Sequence, residues 1–260
     1  MTNYPLTALE SMWFYEIIAA NLKVTARDLV LDIGCGGGYT CFKFAERARR
    51  VVGVDISAPL IQYLIAFNRK HNIDFLLSDV CSEAFISQHT GCFSRVCSSD
   101  VLEHVDDPAR FVLAISRVLS EKARAVLTFP NHTGHGRHRF QTVSEIEDLF
   151  AQAGLRADVC SIKMISVYKN VWDIYSLGRK IYKCVTGQKP DRAYKPSEDV
   201  FHHYSLFEQM MHPRWYHYVA KGVMALLISV SKLGPLYGKV EIAPDGQIDE
   251  HRVLVIATAR

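Results

Sequence analysis

No Cys-x-x-C pair occurs in this 260-residue chain, and its seven cysteines (35, 41, 81, 92, 97, 160 and 184) are odd in number. That argues against a disulfide frame and for reduced, mostly buried thiols in a cytoplasmic protein. Long apolar runs are missing as well. The most apolar stretch, Val219 to Leu233, is interrupted by Lys221 and Lys232 and is too short to span a bilayer. The opening Met-Thr-Asn-Tyr-Pro has no basic start leading into an apolar core, so no signal peptide is expected. Charge of one sign is scarce: the formal net charge is +3, too small by itself to point to nucleic acid. Disorder is excluded by 49% apolar against 22% charged residues, the balance of a globular domain. The charge is unevenly spread, however. Residues 163–240 carry 12 Lys/Arg against 5 Asp/Glu, while the rest carries 18 against 22. A basic segment on a mildly acidic body suits an anionic substrate or an anionic lipid surface.

Two phosphate-binding fingerprints are also missing, and their absence makes one glycine-rich stretch informative. Leu29-Val30-Leu31-Asp32-Ile33 is an apolar run carrying an acid, and Gly34-Cys35-Gly36-Gly37-Gly38 follows it, ahead of a helical pattern from Tyr39. Read as strand, tight loop and helix, this brings glycine backbone and a helix N-terminus against a ligand. A dinucleotide G-x-G-x-x-G needs a third glycine at Tyr39 or Cys41, and a P-loop needs Gly-Lys-Ser/Thr; neither is present. The next apolar run, Val51-Val52-Gly53-Val54, ends in Asp55, where an α/β nucleotide site places an acid for ribose hydroxyls.

Short β-branched runs alternate with helical patterns through the middle of the chain, the signature of a parallel sheet wrapped by helices. Strands are expected near 29–33, 51–55, 73–77, 93–98, 123–129, 155–165 and 252–260. Helices are expected near 39–48, 58–71, 82–89, 107–119 and 142–153, the last stopping at Gly154. Phe111, Ile115, Val118 and Leu119 share one face of the 107–119 helix. Leu6 to Leu22 is helical in pattern, and residues 1–28 are read as an N-terminal cap helix or a helix packed on the sheet. Residues 168–248 form an insertion before the last strand, read as helical and as a lid or substrate wall. It interleaves Trp172, Tyr175, Tyr204, Trp215 and Tyr216 with Lys, Arg and His. His202, His203, His212 and His217 add imidazoles that could meet an acidic or phenolic substrate. Val219 to Leu236 could line an apolar pocket, rest on a membrane interface, or form a buried core helix.

Asp32-x-Gly34-x-Gly36-x-Gly38 resembles the first motif of class I S-adenosylmethionine (SAM) methyltransferases. Asp100-Val101-Leu102-Glu103-His104-Val105-Asp106-Asp107-Pro108 and Phe129-Pro130-Asn131 resemble segments of the ubiquinone-biosynthesis O-methyltransferases and their relatives, the methyltransferase type 11 group. The resemblance covers residues 29 to about 154 and the final strand, not the insertion. It implies a Rossmann-like α/β fold with a seven-stranded, mostly parallel sheet, its last strand antiparallel, formed by residues 29–167 and 249–260. It implies cofactor contacts at Asp32, Gly34, Cys35, Gly36, Asp55, Ile56, Asp79, Val80 and Ser99, with Ile56 and Val80 sandwiching adenine and Asp79 bonding its amino group. SAM has no phosphate, so a missing pyrophosphate glycine is no obstacle.

Methyl transfer is an in-line displacement that needs alignment and, for an oxygen acceptor, a proton acceptor. His104, with Glu103 beside it, is the candidate base, since imidazole titrates near neutral pH. The spacing of Asp100, Glu103 and His104, with His138 as a later ligand, also resembles the divalent-ion site of some ubiquinone O-methyltransferases and of small-RNA 2′-O-methyltransferases. Such a site would suit Mg²⁺, Mn²⁺ or Fe²⁺. His132 and His135 could line the acceptor side. The expected activity is SAM-dependent methylation of a small-molecule acceptor, hydrophobic or anionic, at a phenolic, hydroxyl or lipid-linked oxygen. RNA 2′-O-methylation and a SAM-fold protein with another activity are the alternatives.

Overall fold

The computed structural model describes residues 17–131, 137–164, 237–241 and 252–259. The strands form where the apolar runs predict them: β1 Leu29–Ile33, β2 Arg50–Asp55, β3 Ile73–Leu77, β4 Phe93–Ser99, β5 Leu119–Pro130, β6 Leu155–Met164, β7 Tyr237–Glu241 and β8 Arg252–Ala259. The helices are α1 Tyr39–Phe44, α2 Ala58–Phe67, α3 Glu83–His89, α4 Pro108–Val118 and α5 Val143–Gln152. The chain divides into two units, Glu10–Ile162 with Val240–Arg260 and Met1–Leu9 with Lys163–Lys239. All of the site described below lies in the first.

In that unit seven strands run in the order β3-β2-β1-β4-β5-β8-β6. Pairing is parallel from β3 across to β5, and β8 pairs antiparallel with both β5 and β6. Such a sheet is covered on both faces, which is why β1 and β2 read as nearly continuous apolar runs instead of alternating. The core includes Leu31, Val54, Val96, Phe111, Ile115, Leu127, Phe129, Phe150 and Val255. α4 turns Phe111, Val112, Ala114, Ile115 and Val118 inward, and Asp107 caps it by accepting from the Arg110 amide at 3.0 Å. The Asp-Pro of the motif after β4 is thus a helix start. α5 stops where Gly154 takes φ 77°, as the glycine there predicts.

Three elements differ from their expected bounds or type. β5 begins four residues early, because Leu119 pairs with Phe93 directly after α4 before the register shifts, with Lys122 at φ 58°. α1 ends at Phe44, short of Ala48. Within 168–248 the described residues are 237–241, and they form a strand, not a helix. Trp172, Tyr175, Tyr204, Trp215, Tyr216, the four insertion histidines and Val219 to Leu236 lie outside the described residues. The same is true of residues 1–16. Residues 17–22 are helical, with Ile18 and Leu22 fully buried. The Asn21 carbonyl accepts from Arg124 at 3.0 Å, which ties this turn to β5. Among the described residues no helix is long and apolar enough to cross a membrane.

Candidate active site

The strand order reverses between β1 and β4, which leave their carboxyl ends side by side with Ile33 opposite Ser98. In open α/β sheets this switch point is where ligands bind. The loop after β1 is shaped for close approach. Gly34, Gly36 and Gly38 all have positive φ, at 67°, 50° and 75°. The amides of Gly34 and Cys35 both donate to the Val54 carbonyl, at 2.8 and 3.0 Å, which fixes the loop against the end of β2.

The glycines differ in what a side chain would meet. A Cβ at Gly34 would collide with Cγ2 of Val101, and one at Gly38 would lie 2.8 Å from Leu64 Cδ2. At Gly36 the nearest atom is 4.0 Å away, so that face of the loop is open. Gly34→Ala is therefore expected to cost roughly 2–4 kcal/mol of stability, from left-handed backbone plus overpacking. Gly36→Ala should cost about 1–2 kcal/mol from backbone alone, yet its methyl projects into the open face and should weaken cofactor binding. Urea midpoints paired with S-adenosylhomocysteine titrations of both variants check this; equal stability losses would contradict the assigned packing.

Asp55 closes β2. Its Oδ2 accepts from the Gly36 amide at 3.0 Å and its Oδ1 from the Ser57 amide at 2.8 Å. One carboxylate thus joins the glycine loop to the start of α2, and each oxygen keeps a lone pair for a ligand. Ile56 next to it is 78% exposed, an apolar surface open to a planar ring, and Leu77 opposite Asp55 is 53% exposed. Val80 differs from expectation. It is buried in the core cluster with Phe85 and Val54, so its side chain is not one face of a ring sandwich.

Asp79 is exposed; its Oδ1 accepts from the Cys81 amide at 2.8 Å. It does not cap α3, a task Ser82 performs by accepting from the Phe85 amide. Ser99 is half-buried at the end of β4, and its hydroxyl accepts from Thr128 at 3.3 Å.

Asp32 is buried at 2% exposure beneath the loop. Its oxygens accept from the Thr40 hydroxyl and from the Cys41 and Cys97 thiols, both at 3.2 Å. Burial pushes its pKa up, opposed by those three hydrogen bonds. The carboxylate expected to favour a cationic ligand is instead spent on α1 and β4, so Asp32 shapes the loop from below. Cys35 is also buried. The six described cysteines are free, with Cys92 exposed and Cys81 and Cys160 half-buried, so burial is less general than the composition suggests.

After β4 the chain turns sharply. Asp100 takes φ 56°, its amide held by the Thr128 carbonyl at 2.8 Å. Its Oδ1 accepts from the guanidinium of Arg252 in β8, a partner that sequence spacing cannot reveal. Glu103 is fully buried, and neither carboxylate oxygen has a hydrogen-bond partner. Burial raises its pKa to about 7, with Asp100 adding and Arg252 opposing. His104 Nε2 lies 3.6 Å from Glu103 Oε1, and its side chain is 58% exposed. A buried carboxyl titrating near neutrality beside an accessible imidazole is an arrangement that can exchange protons. Asn131, buried at the end of β5, grips the Phe140 backbone through both side-chain atoms, at 2.8 and 2.9 Å. His132 and His135 lie outside the described residues.

The expected metal site does not assemble. Among the described residues no group of three or more His, Cys, Asp or Glu is placed to hold an ion. Asp100 is engaged by Arg252, and His138 Nε2 makes a 2.7 Å bond to the Val105 carbonyl. A carbonyl only accepts, so that nitrogen carries a proton and is no ligand.

A family model described as "Methyltransferase domain" matches residues 31–127. By that match, residues 31–127 resemble a methyltransferase domain. The match runs from β1 into β5 and takes in the glycine loop, Asp55, Asp79 and the Glu103–His104 pair. A ubiquinone biosynthesis O-methyltransferase of Xanthomonas oryzae is 30% identical over 131 residues, which are 50% of this chain and 53% of that one. The chain thus spans about half the length of the curated relatives it matches. Among solved structures, the domain with its flanks resembles a Haemonchus contortus phospholethanolamine N-methyltransferase 2 bound to S-adenosylhomocysteine, with TM-score 0.55 and 15% identity. That match covers 95% of this chain and 52% of that one. The [4+2]-cyclase SpnF gives TM-score 0.52 at 15% identity, covering 95% and 79%. These likenesses establish the class I methyltransferase fold.

Proposed function

We propose that the chain transfers a methyl group from SAM to an oxygen of a small-molecule acceptor, phenolic, hydroxyl or lipid-linked. The observation carrying this reading is the pairing of two features at one sheet edge. An open glycine loop is tied to Asp55, and a buried, unbonded Glu103 lies beside His104. Asp55 receives the ribose hydroxyls, Ile56 offers a face to adenine, and Asp79 and Ser99 complete the cofactor contacts. Gly36 leaves room for the donor.

His104 takes the acceptor proton, and Glu103 balances the resulting imidazolium, the role a carboxylate plays behind a catalytic imidazole. The names of the curated relatives favour oxygen as the acceptor atom. The RNA alternative leaned on a metal constellation that the described residues do not form.

His104→Ala is expected to lower turnover about 10²-fold while leaving SAM affinity near the wild-type value. The assay follows labelled methyl transfer from SAM to a panel of phenols, lipid-linked hydroxyls and RNA. Unaltered turnover in the variant would discard the base role. Label reaching no acceptor despite tight SAM binding would favour a non-methylating use of the fold.

A further inference from the structure

We propose that Arg252 supplies, from within the chain, the positive charge that a divalent cation would bring to the loop after β4, so that this site operates without a metal ion. Arg252 is the first residue of β8 and lies opposite Pro130 at the carboxyl end of β5 and opposite Ile162 of β6. It therefore enters the rim from the sheet itself. Its guanidinium meets Asp100, whose left-handed backbone and amide bond to Thr128 fix the carboxylate's position.

A dication approaching Asp100 would meet a cation already in place. Like charges at such distances repel strongly when they are partly shielded from water, and Arg252 is only 28% exposed. The other groups of the expected site offer no compensating cage. His138 is committed to Val105, and His104 projects outward. Guanidinium stays charged at every relevant pH and is rigid, so the substitution gives a permanent monovalent charge independent of ion supply. The inference shares its site with the methyl-transfer reading and rests on it for the use made of the charge. Ion binding is testable without turnover.

The test is a Mn²⁺ titration of the full chain, followed by the free-ion electron paramagnetic resonance signal, with S-adenosylhomocysteine affinity measured on the same samples. Wild type and Arg252→Lys should show no saturable site below about 1 mM, the weak end of protein sites for divalent ions. Arg252→Met frees the Asp100 carboxylate and should bind Mn²⁺ at least 10-fold more tightly, a gain lost when Asp100→Asn is added. One-site micromolar binding by wild type that disappears in Asp100→Asn would overturn the inference. An Arg252→Met variant that folds yet binds no more tightly than wild type would do the same. If that variant does not fold, the wild-type and Arg252→Lys curves decide. Loss of cofactor affinity in wild type would count against the methyl-transfer reading and leave the ion result standing.

Discussion

Asp55→Ala is expected to weaken binding of SAM and S-adenosylhomocysteine by about 1.5–3 kcal/mol, roughly 10- to 150-fold, the scale of losing charge-assisted hydrogen bonds. Two contributions act together. The ribose loses its acceptor, and the amides of Gly36 and Ser57 lose the carboxylate that holds the loop to α2. Asp55→Asn should recover little, because its amide nitrogen would face one of those N–H donors, donor against donor. Isothermal titration of the three proteins checks this. Identical binding curves would remove Asp55 from the cofactor site.

Glu103→Gln should change how stability depends on pH. The folded-state pKa of Glu103 is raised from 4.5 to about 7. Between these values the folded protein keeps a proton that the unfolded chain releases, so stability falls as pH rises through that window. The full penalty is present above pH 7 and absent below about 4.5. Its ceiling is roughly 3 kcal/mol, from the linkage of about 1.4 kcal/mol per pKa unit. In Glu103→Gln this slope should vanish, and urea unfolding at a series of pH values from 4 to 8 would display it as diverging curves. Parallel curves would mean that Glu103 is solvated in the folded protein. The same variant cannot back a charged imidazole, so turnover should fall with it.

Much of the architecture was readable from local pattern. β1, β2 and β3 announce themselves as apolar runs, and Gly154 is punctuation with a fixed meaning. The glycine loop and Asp55 were readable for the same reason, since a positive φ and a strand-ending acid are local requirements. What escaped depends on contacts distant in sequence. The family resemblance implied Asp32 and Val80 at the ligand, yet both are buried in the interior. The spacing of Asp100, Glu103 and His104 suggested a metal because spacing carries no information about Arg252, which arrives from the final strand. His138 likewise found a carbonyl and not an ion.

The carboxyl rim of β1 and β2 is expected to receive an adenosyl sulfonium and not a phosphate-bearing nucleotide. Calorimetric titration of the purified chain with S-adenosylhomocysteine, SAM, NAD and ATP puts it to the most direct test. The expected result is saturable one-site binding of the first two ligands and none of the others. Heat with NAD or ATP, and none with SAM or its demethylated product, would contradict the assignment.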